Sequence, residues 1–349
     1  MKILILGGAG FVGSNLAMHL KNTHEVTVAD NLVRRGSENN LNEFKDNGIK
    51  FIHGDIRNTE DFNKLGDDYH VILLCAAQPS AVNYSNPTFD IQNNTVGVLN
   101  TLEFARKIGA GVIFWSTNKC YTGTVCNAHE YIETETRYSI KGNHTFDEKT
   151  EVNGPDHSIY GVSKIMADLM IQEWADAYNM PCIINRFSCL AGPRQWGLAE
   201  QGWVAWFAVA NELGLPIEIF GFKGKQVRDC LFVGDLCNLI EKQIKYIDLY
   251  KGEIFNVGGG PTNSLSLLEA ISLLERNNKK FTNIKFNDEP RRADQIVYVS
   301  NIDKVKRAFH WEPKIDVVTG YNQIMNWVKF NKKTLQQIAV RHNRCVWFC

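Results

Sequence analysis

Unbroken apolar runs recur through the first half of the chain: KILIL (2–6), EVTVAD (25–30), KFIHGD (50–55), HVILLCA (70–76) and GVIFWS (111–116). Their residues do not alternate between apolar and polar, the pattern of strands covered on both faces. Segments with helical spacing lie between and after them, at about 12–21, 59–65, 88–107 and 158–178. Strands alternating with helices predict βαβ units and a parallel sheet. The series extends to PCIINRF (181–187), after which the elements shorten. There SLSLLEAISLLERN (264–277) predicts an amphipathic helix opened by Ser266 and Glu269 at capping-box spacing, and TNIKFN (282–287) a strand. The expected fold is α/β. A Rossmann-type doubly wound parallel sheet covers residues 1–187 and a smaller C-terminal α/β lobe covers 188–331, with no linker to stop the chain crossing between them. The tail, 332–349, has no assigned role.

Composition removes several functions. At 349 residues the chain exceeds one small core, and its 38 basic and 38 acidic residues leave no net field to draw it to nucleic acid or a membrane surface. Its nine cysteines include no C-x-x-C pair; the closest intervals are Cys120 to Cys126, Cys182 to Cys189 and Cys345 to Cys349. No metal site is expected. Several, such as Cys75 and Cys182, sit in apolar runs, as reduced cysteines of a cytoplasmic protein do. The opening MKILILGGAGFVG is too glycine-rich for a signal peptide, and no run approaches the roughly 18 apolar residues that span a bilayer.

Chemistry enters with the glycines. GGAGFVG sets Gly7, Gly10 and Gly13 between the first strand and first helix, where the backbone can turn tightly and a helix N-terminus can hold a pyrophosphate. Asp30, seventeen residues past Gly13, ends the second strand and is placed to accept hydrogen bonds from ribose hydroxyls, which favours NAD over NADP. Arg34 and Arg35 follow closely and keep the 2′-phosphate of NADP as an alternative. Asp55 and Ile56, after the third strand, suit the adenine, and in CAAQPS (75–80) small residues such as Ala76 and Ala77 let a cofactor cross the strand ends. Taken singly, each has a plainer reading as a turn or as packing. Thr117, in STNKCY (116–121), closes the fifth strand at the edge where open α/β sheets bind ligands. In YGVSK (160–164) Tyr160 and Lys164 stand four apart, on one face of a helix. A phenol of ordinary pKa about 10 becomes a usable base if an ammonium and an oxidised nicotinamide lie near it, with Thr117 fixing the sugar oxygen.

GxxGxxG, the acid after the second strand, a Ser/Thr ending the fifth and Y-x-x-x-K in the next helix together resemble the extended short-chain dehydrogenase/reductase family, which acts largely on nucleotide sugars. The likeness runs nearly the whole chain, through YVSNIDKVKRAFHWEPK (298–314). Within the family, STNKCY, ETETRY (133–138), QGWVAWF (201–207) and GKQVRD (224–229) resemble its CDP-paratose 2-epimerase (CDP-tyvelose epimerase) branch. The 4,6-dehydratases of the family usually carry Asp-Glu after the threonine; here Asn118 and Lys119 stand there, without that acid/base equipment.

The resemblance implies further roles. Phe11, Val12, Asn31, Gln78, Asn94, Ser116 and Phe187 join the NAD site, and Ser80, Asn118, Lys119, Ser188, Gln201 and Val204 lie along the nucleotide sugar. Arg228, with its fork of donors, Gln226 and Arg291, at Arg-x-x-Asp spacing to Asp294, are expected at the diphosphate, with Arg292 beside them. Trp206 and Phe207 are expected in the core, and the polar, aperiodic stretch 120–157 as a lid. In RFSCLAGPR (186–194) Ala191 replaces the family's usual tyrosine.

The implied activity is an NAD-dependent 2-epimerisation of a CDP-linked sugar, CDP-paratose to CDP-tyvelose. The alternatives are a 4-epimerase, a 2-epimerase of CDP-glucose or UDP-glucose, and a non-catalytic nucleotide sensor. The family also implies a homodimer or homotetramer, paired through the helices at 88–107 and 158–178.

Overall fold

Each apolar run of the first half is a strand with both faces covered. The computed structural model describes residues 1–79, 86–196 and 202–345. β1 (Lys2–Leu6), β2 (Glu25–Asp30), β3 (Lys50–His53), β4 (Val71–Leu74), β5 (Gly111–Thr117), β6 (Cys182–Phe187) and β7 (Lys251–Val257) form a seven-stranded sheet in the order β7-β6-β5-β4-β1-β2-β3. Every neighbouring pair is parallel. From β1 the chain builds outward to β3, then returns to β4 on the other side of β1 and builds the opposite way. That reversal opens a crevice at the carboxyl ends of β1 and β4, the ligand-binding position of such sheets.

Alternate side chains of a strand point to opposite faces, so each strand feeds two cores. Ile3, Ile5, Leu73, Ile113 and Ile183 join one, beneath α1 (Phe11–Leu20) and the helix Val233–Lys245. Leu4, Leu6, Ile72, Phe114 and Ile184 join the other, beneath α2 (Gly97–Ile108) and α3 (Ile159–Ala177). The chain crosses back after residue 187, because β7 and the helices Val233–Lys245 and Asp303–Phe309 belong to the first core. The second lobe is built on the helices Trp203–Leu213, Leu267–Asn277 and Val317–Phe330, with short strands including Cys189–Ala191 beside Val227–Phe232.

The capping box forms as the spacing predicts: Ser266 Oγ accepts from Glu269 N at 3.1 Å, and Glu269 Oε2 accepts from Ser266 N at 2.9 Å. Three expectations need correction. The helix expected at 88–107 is Pro87–Ile91 and α2 joined by a π turn, Gln92–Val96. A short helix, Asn40–Asp46, appears where none is predicted. The stretch 120–157 is no loose lid. Tyr121, Cys126, Ile140 and Phe146 are buried against Val227, Val297 and Tyr298, Tyr121 Oη donates to Asn256 Oδ1 at 2.7 Å, and Arg137 Nε donates to Glu269 Oε1 at 2.7 Å. The tail continues as the helix Lys332–Cys345, whose Leu335 and Ile338 are buried in the second lobe.

Candidate active site

The cofactor half is shaped by backbone contact. Gly7 has φ +74°, and a Cβ there would lie 2.5 Å from the Cα of Ala76, so the glycine loop and the segment after β4 meet as bare main chain. α1 begins at Gly10 with no side-chain cap and no acidic residue in its first turn, leaving its leading amides to an anion. Asp30 steadies the loop by accepting from Ala9 N at 3.0 Å and Leu32 N at 2.8 Å, while burial raises its carboxyl above the usual range. Asn31 donates to Asp55 at 2.9 Å, and Arg57 pairs with Asp55 at 2.6 Å, which holds that carboxyl near 2. Gly7, Gly10, Phe11, Val12, Asp30, Asn31, Asp55, Ile56, Ala76 and Ala77 all line one cleft of about 200 Å³, and Arg34 and Arg35 line it too. An uncapped helix end, a glycine floor and a carboxylate at the end of β2 fit a dinucleotide.

Asn94 works one step back from that cleft. It is fully buried and exchanges hydrogen bonds with the backbone of Gln78, accepting from its N at 2.8 Å and donating to its O at 2.9 Å. It positions the segment of Gln78 rather than reaching the cofactor cleft. Ser80 and Gln201 lie outside the described residues.

Thr117, Tyr160 and Lys164 come together on one wall of a second, adjoining cleft of about 780 Å³. Ser158 caps α3 by accepting from Gly161 N at 3.0 Å, and a Cβ on Gly161 would lie 2.5 Å from the carbonyl oxygen of Lys119. The start of α3 therefore presses on the turn after β5, which sets Tyr160 beside Thr117. Burial drives the Lys164 ammonium down to about 7, against the opposing charges of Asp168 and Cys75, and its Nζ sits 4.1 Å from the Phe114 ring centroid. Burial drives the Tyr160 phenol up to about 12, opposed by the Thr117 hydroxyl and reinforced by the charge of Asp90. The lowering expected from Lys164 is thus not achieved by the protein's own groups: the desolvation that depresses the ammonium also disfavours phenolate.

Other residues carry altered roles. Ser116 lines the larger cleft, but its hydroxyl donates to buried Asp168 at 3.0 Å, and Arg186 donates to the same oxygen at 2.9 Å. Phe187 lines the cleft and stacks on Trp115 at 5.9 Å. On the substrate side Asn118 donates to Gln295 at 2.9 Å, Lys119 pairs with Asp294 at 3.2 Å and Arg228 with Asp294 at 2.7 Å. Ser188 donates to the carbonyl of Asp229 at 2.9 Å, and Arg291 stands 4.6 Å from the Phe220 ring centroid. Gln226 donates to the carbonyl of Phe220 at 3.0 Å while its buried Oε1 has no partner among the described residues, an acceptor left over on the cleft wall. Asn118, Lys119, Ser188, Gln226, Arg228, Arg291 and Arg292 all line this cleft.

Val204 does not. It is buried in the second-lobe core, which corrects the expectation of ligand contact; Phe207 is core as expected and also lines the cleft, while Trp206 and Trp203 are only partly buried against that core and line the cleft as well. Asp90 was not foreseen at all: its carboxyl is buried, its Oδ1 has no partner among the described residues, and burial raises it to about 6. Nothing in the local sequence NPTFD marks it, since a burial that depends on α3 leaves no local trace.

Comparison with known proteins places this geometry. Residues 3–258 match the NAD dependent epimerase/dehydratase family. The CDP-paratose 2-epimerase of Salmonella typhi is 36% identical, over 94% of this chain and 99% of its own. A putative UDP-glucose 4-epimerase of Methanocaldococcus jannaschii is 30% identical, over 95% of this chain and 100% of its own. Among solved structures, the Thermus thermophilus UDP-glucose 4-epimerase in complex with NAD superposes with a TM-score of 0.77 at 26% identity, covering 94% of this chain and 99% of that one.

Proposed function

The chain belongs to the NAD dependent epimerase/dehydratase family, and from that premise we propose that it inverts carbon 2 of a CDP-linked sugar, converting CDP-paratose to CDP-tyvelose. NAD is its cofactor. The CDP-sugar assignment rests on the 36% identity to the Salmonella typhi 2-epimerase; epimerisation over dehydration is supported by the state of the larger cleft's carboxylates. Among the described lining residues these are Glu218 and Asp294, and both are tied up: Glu218 with Lys285 at 3.1 Å, Asp294 with Arg228 at 2.7 Å and Lys119 at 3.2 Å. Elimination of water needs a free acid and base. Oxidation and return needs one proton-transfer group and a hydride acceptor, which Tyr160 and the adjoining cofactor cleft offer.

Bound NAD supplies the reversible acceptor for the hydride on carbon 2. Tyr160 Oη takes the proton of the carbon-2 hydroxyl, and the Thr117 hydroxyl holds that oxygen in line. Because burial leaves the phenol near 12 and the protein's own groups do not lower it, the step needs positive charge beside it, which an oxidised nicotinamide would supply when bound, with Lys164 holding the nicotinamide ribose. The transient ketone turns within the roughly 780 Å³ cleft, accepts hydride on its other face and recovers its proton from Tyr160. Arg228 and Arg291 grip the diphosphate, and the aromatic wall of Trp203 and Trp206 leaves room for the turning sugar.

The relative named as a putative UDP-glucose 4-epimerase makes inversion at carbon 4 the rival. Incubating the purified protein with CDP-paratose and with UDP-glucose in parallel, and resolving the sugar nucleotides chromatographically, separates the two. CDP-paratose is expected to be consumed; consumption of UDP-glucose alone contradicts the proposal.

A further inference from the structure

A pair of cysteines stands in the wall of the larger cleft, outside the catalytic machinery. The short strand Cys189–Ala191 runs parallel to Val227–Phe232, with Cys189 in register with Cys230. In-register neighbours on adjacent strands project to the same face, and strands lie about 4.8 Å apart, within the roughly 4.4–6.8 Å between Cα atoms that a disulfide spans. Cys189 lines the cleft, whereas Cys230 is fully buried behind it. Trp203 Nε1 donates to Cys189 Sγ at 3.3 Å. Both thiols are free.

The two sulfurs differ in reactivity. The Cys189 thiol is held below its ordinary value, first by the neighbouring Cys230 thiol, then by the charge of Arg228 and the Trp203 donor, which together outweigh burial and the charge of Asp229. Cys230 is held well above it, as the donor to Cys189 and by burial. The other described cysteines with a resolved direction, Cys75, Cys120, Cys126, Cys182 and Cys237, are all raised by burial. An accessible thiol of lowered pKa beside a resolving thiol is the arrangement that oxidises selectively.

We propose that Cys189 and Cys230 form a peroxide-oxidisable dithiol that closes to a reversible disulfide in the wall of the larger cleft. The Cys189 thiolate attacks a peroxide oxygen; the S–O bond forms, the O–O bond breaks, and the departing hydroxide takes up the proton shed by the Cys189 thiol and leaves as one water, giving a sulfenic acid. The Cys230 sulfur then attacks the Cys189 sulfur, the S–S bond forms, the S–O bond breaks, and the Cys230 proton leaves with the hydroxide as a second water. Two thiols are oxidised by two electrons and one peroxide is reduced. Closure takes from Trp203 its thiol acceptor, at the residue that opens the cleft-facing helix. Cys189 lies on a three-residue strand, which can shift to meet its partner, and the strain of joining sheet neighbours makes the bond easy to reduce. The inference does not depend on which sugar occupies the cleft.

The test uses the full-length, NAD-loaded protein. Brief treatment with hydrogen peroxide, alkylation of remaining thiols and non-reducing peptide mass spectrometry are expected to give a linked pair joining Cys189 to Cys230, lost again after dithiothreitol. Linkage between other cysteines, or a Cys189 that stops at the sulfinic acid, overturns the proposal. In Cys230→Ala the sulfenic acid at Cys189 has no resolving partner, so the share of oxidised Cys189 that dimedone traps is expected to be several-fold larger than in the parent chain, even though loss of the Cys230 thiol slows the first oxidation. Equal trapping in the two proteins overturns it as well.

Discussion

Two buried ionisable groups near Tyr160 make its surroundings testable residue by residue. Lys164 titrates at 10.5 in an unfolded chain and near 7 in the fold, so between those values the unfolded chain holds a proton that the folded one has shed, and stability rises with pH across that window. Below it the full cost of the buried ammonium is borne. Lys164→Met is therefore expected to raise the unfolding free energy at pH 6, read from urea midpoints, by on the order of a few kcal/mol, with the gain shrinking toward pH 10, while turnover falls by about 10²–10⁴. An equal gain at both pH values, at matched NAD content, contradicts the assigned burial. Asp90 behaves oppositely: its folded value, about 6, exceeds the ordinary 3.8, so stability falls as pH rises through that interval and stays lower above it. Asp90→Asn is expected to gain up to about 3 kcal/mol at pH 7.5 and well under about 1 kcal/mol at pH 4, read from urea midpoints. Tyr160 and Lys164 were legible only once their spacing was joined to the glycine motif and to Thr117 at the end of the fifth strand. The state of their protons was not, because it depends on burial by distant elements.

Among the elements, α1 and its glycine loop are the proposed seat of the cofactor. A Cβ at Gly10 meets only the carbonyl of Gly7, at 3.3 Å, whereas one at Gly7 strikes the backbone of Ala76 at 2.5 Å. Gly10→Ala should therefore fold normally yet release NAD, because the added methyl occupies the approach to the helix N-terminus; Gly7→Ala should lose stability first. The ratio of bound NAD to protein after gel filtration, beside the thermal midpoint, distinguishes them, and full NAD retention by Gly10→Ala contradicts the cradle. The strands and the Ser266 capping box were readable because their signals are local. The helix Trp203–Leu213 was not: WVAWFAVANEL is apolar around nearly its whole circumference, so no stripe separates a core-facing Val204 from a cleft-facing Trp206. The stretch 120–157 misled for a related reason. Its order comes from long-range partners such as Glu269 and Asn256, which no window of sequence contains.

At the scale of the molecule, a sheet that completes itself with β7 from far along the chain joins the cofactor half to the substrate lobe, with the larger cleft lined from both. The reversal of strand order places that cleft, and the sequence could indicate the βαβ series but not which late segment returns to it. We further propose that two copies pair through α2 and α3, because Met166 and Leu169 on α3, and Val96 ahead of α2, are exposed apolar residues on helices otherwise buried against the sheet. Light scattering is expected to give at least a dimer mass and Leu169→Glu a monomer; an unchanged mass removes this interface. The central claim, hydride out and back at carbon 2, is tested most directly by proton NMR of CDP-paratose turned over in heavy water with no added NAD. Conversion to the manno configuration without deuterium at carbon 2 is expected. Conversion with deuterium there indicates enolisation and contradicts the mechanism; no conversion by protein shown to contain NAD contradicts the substrate.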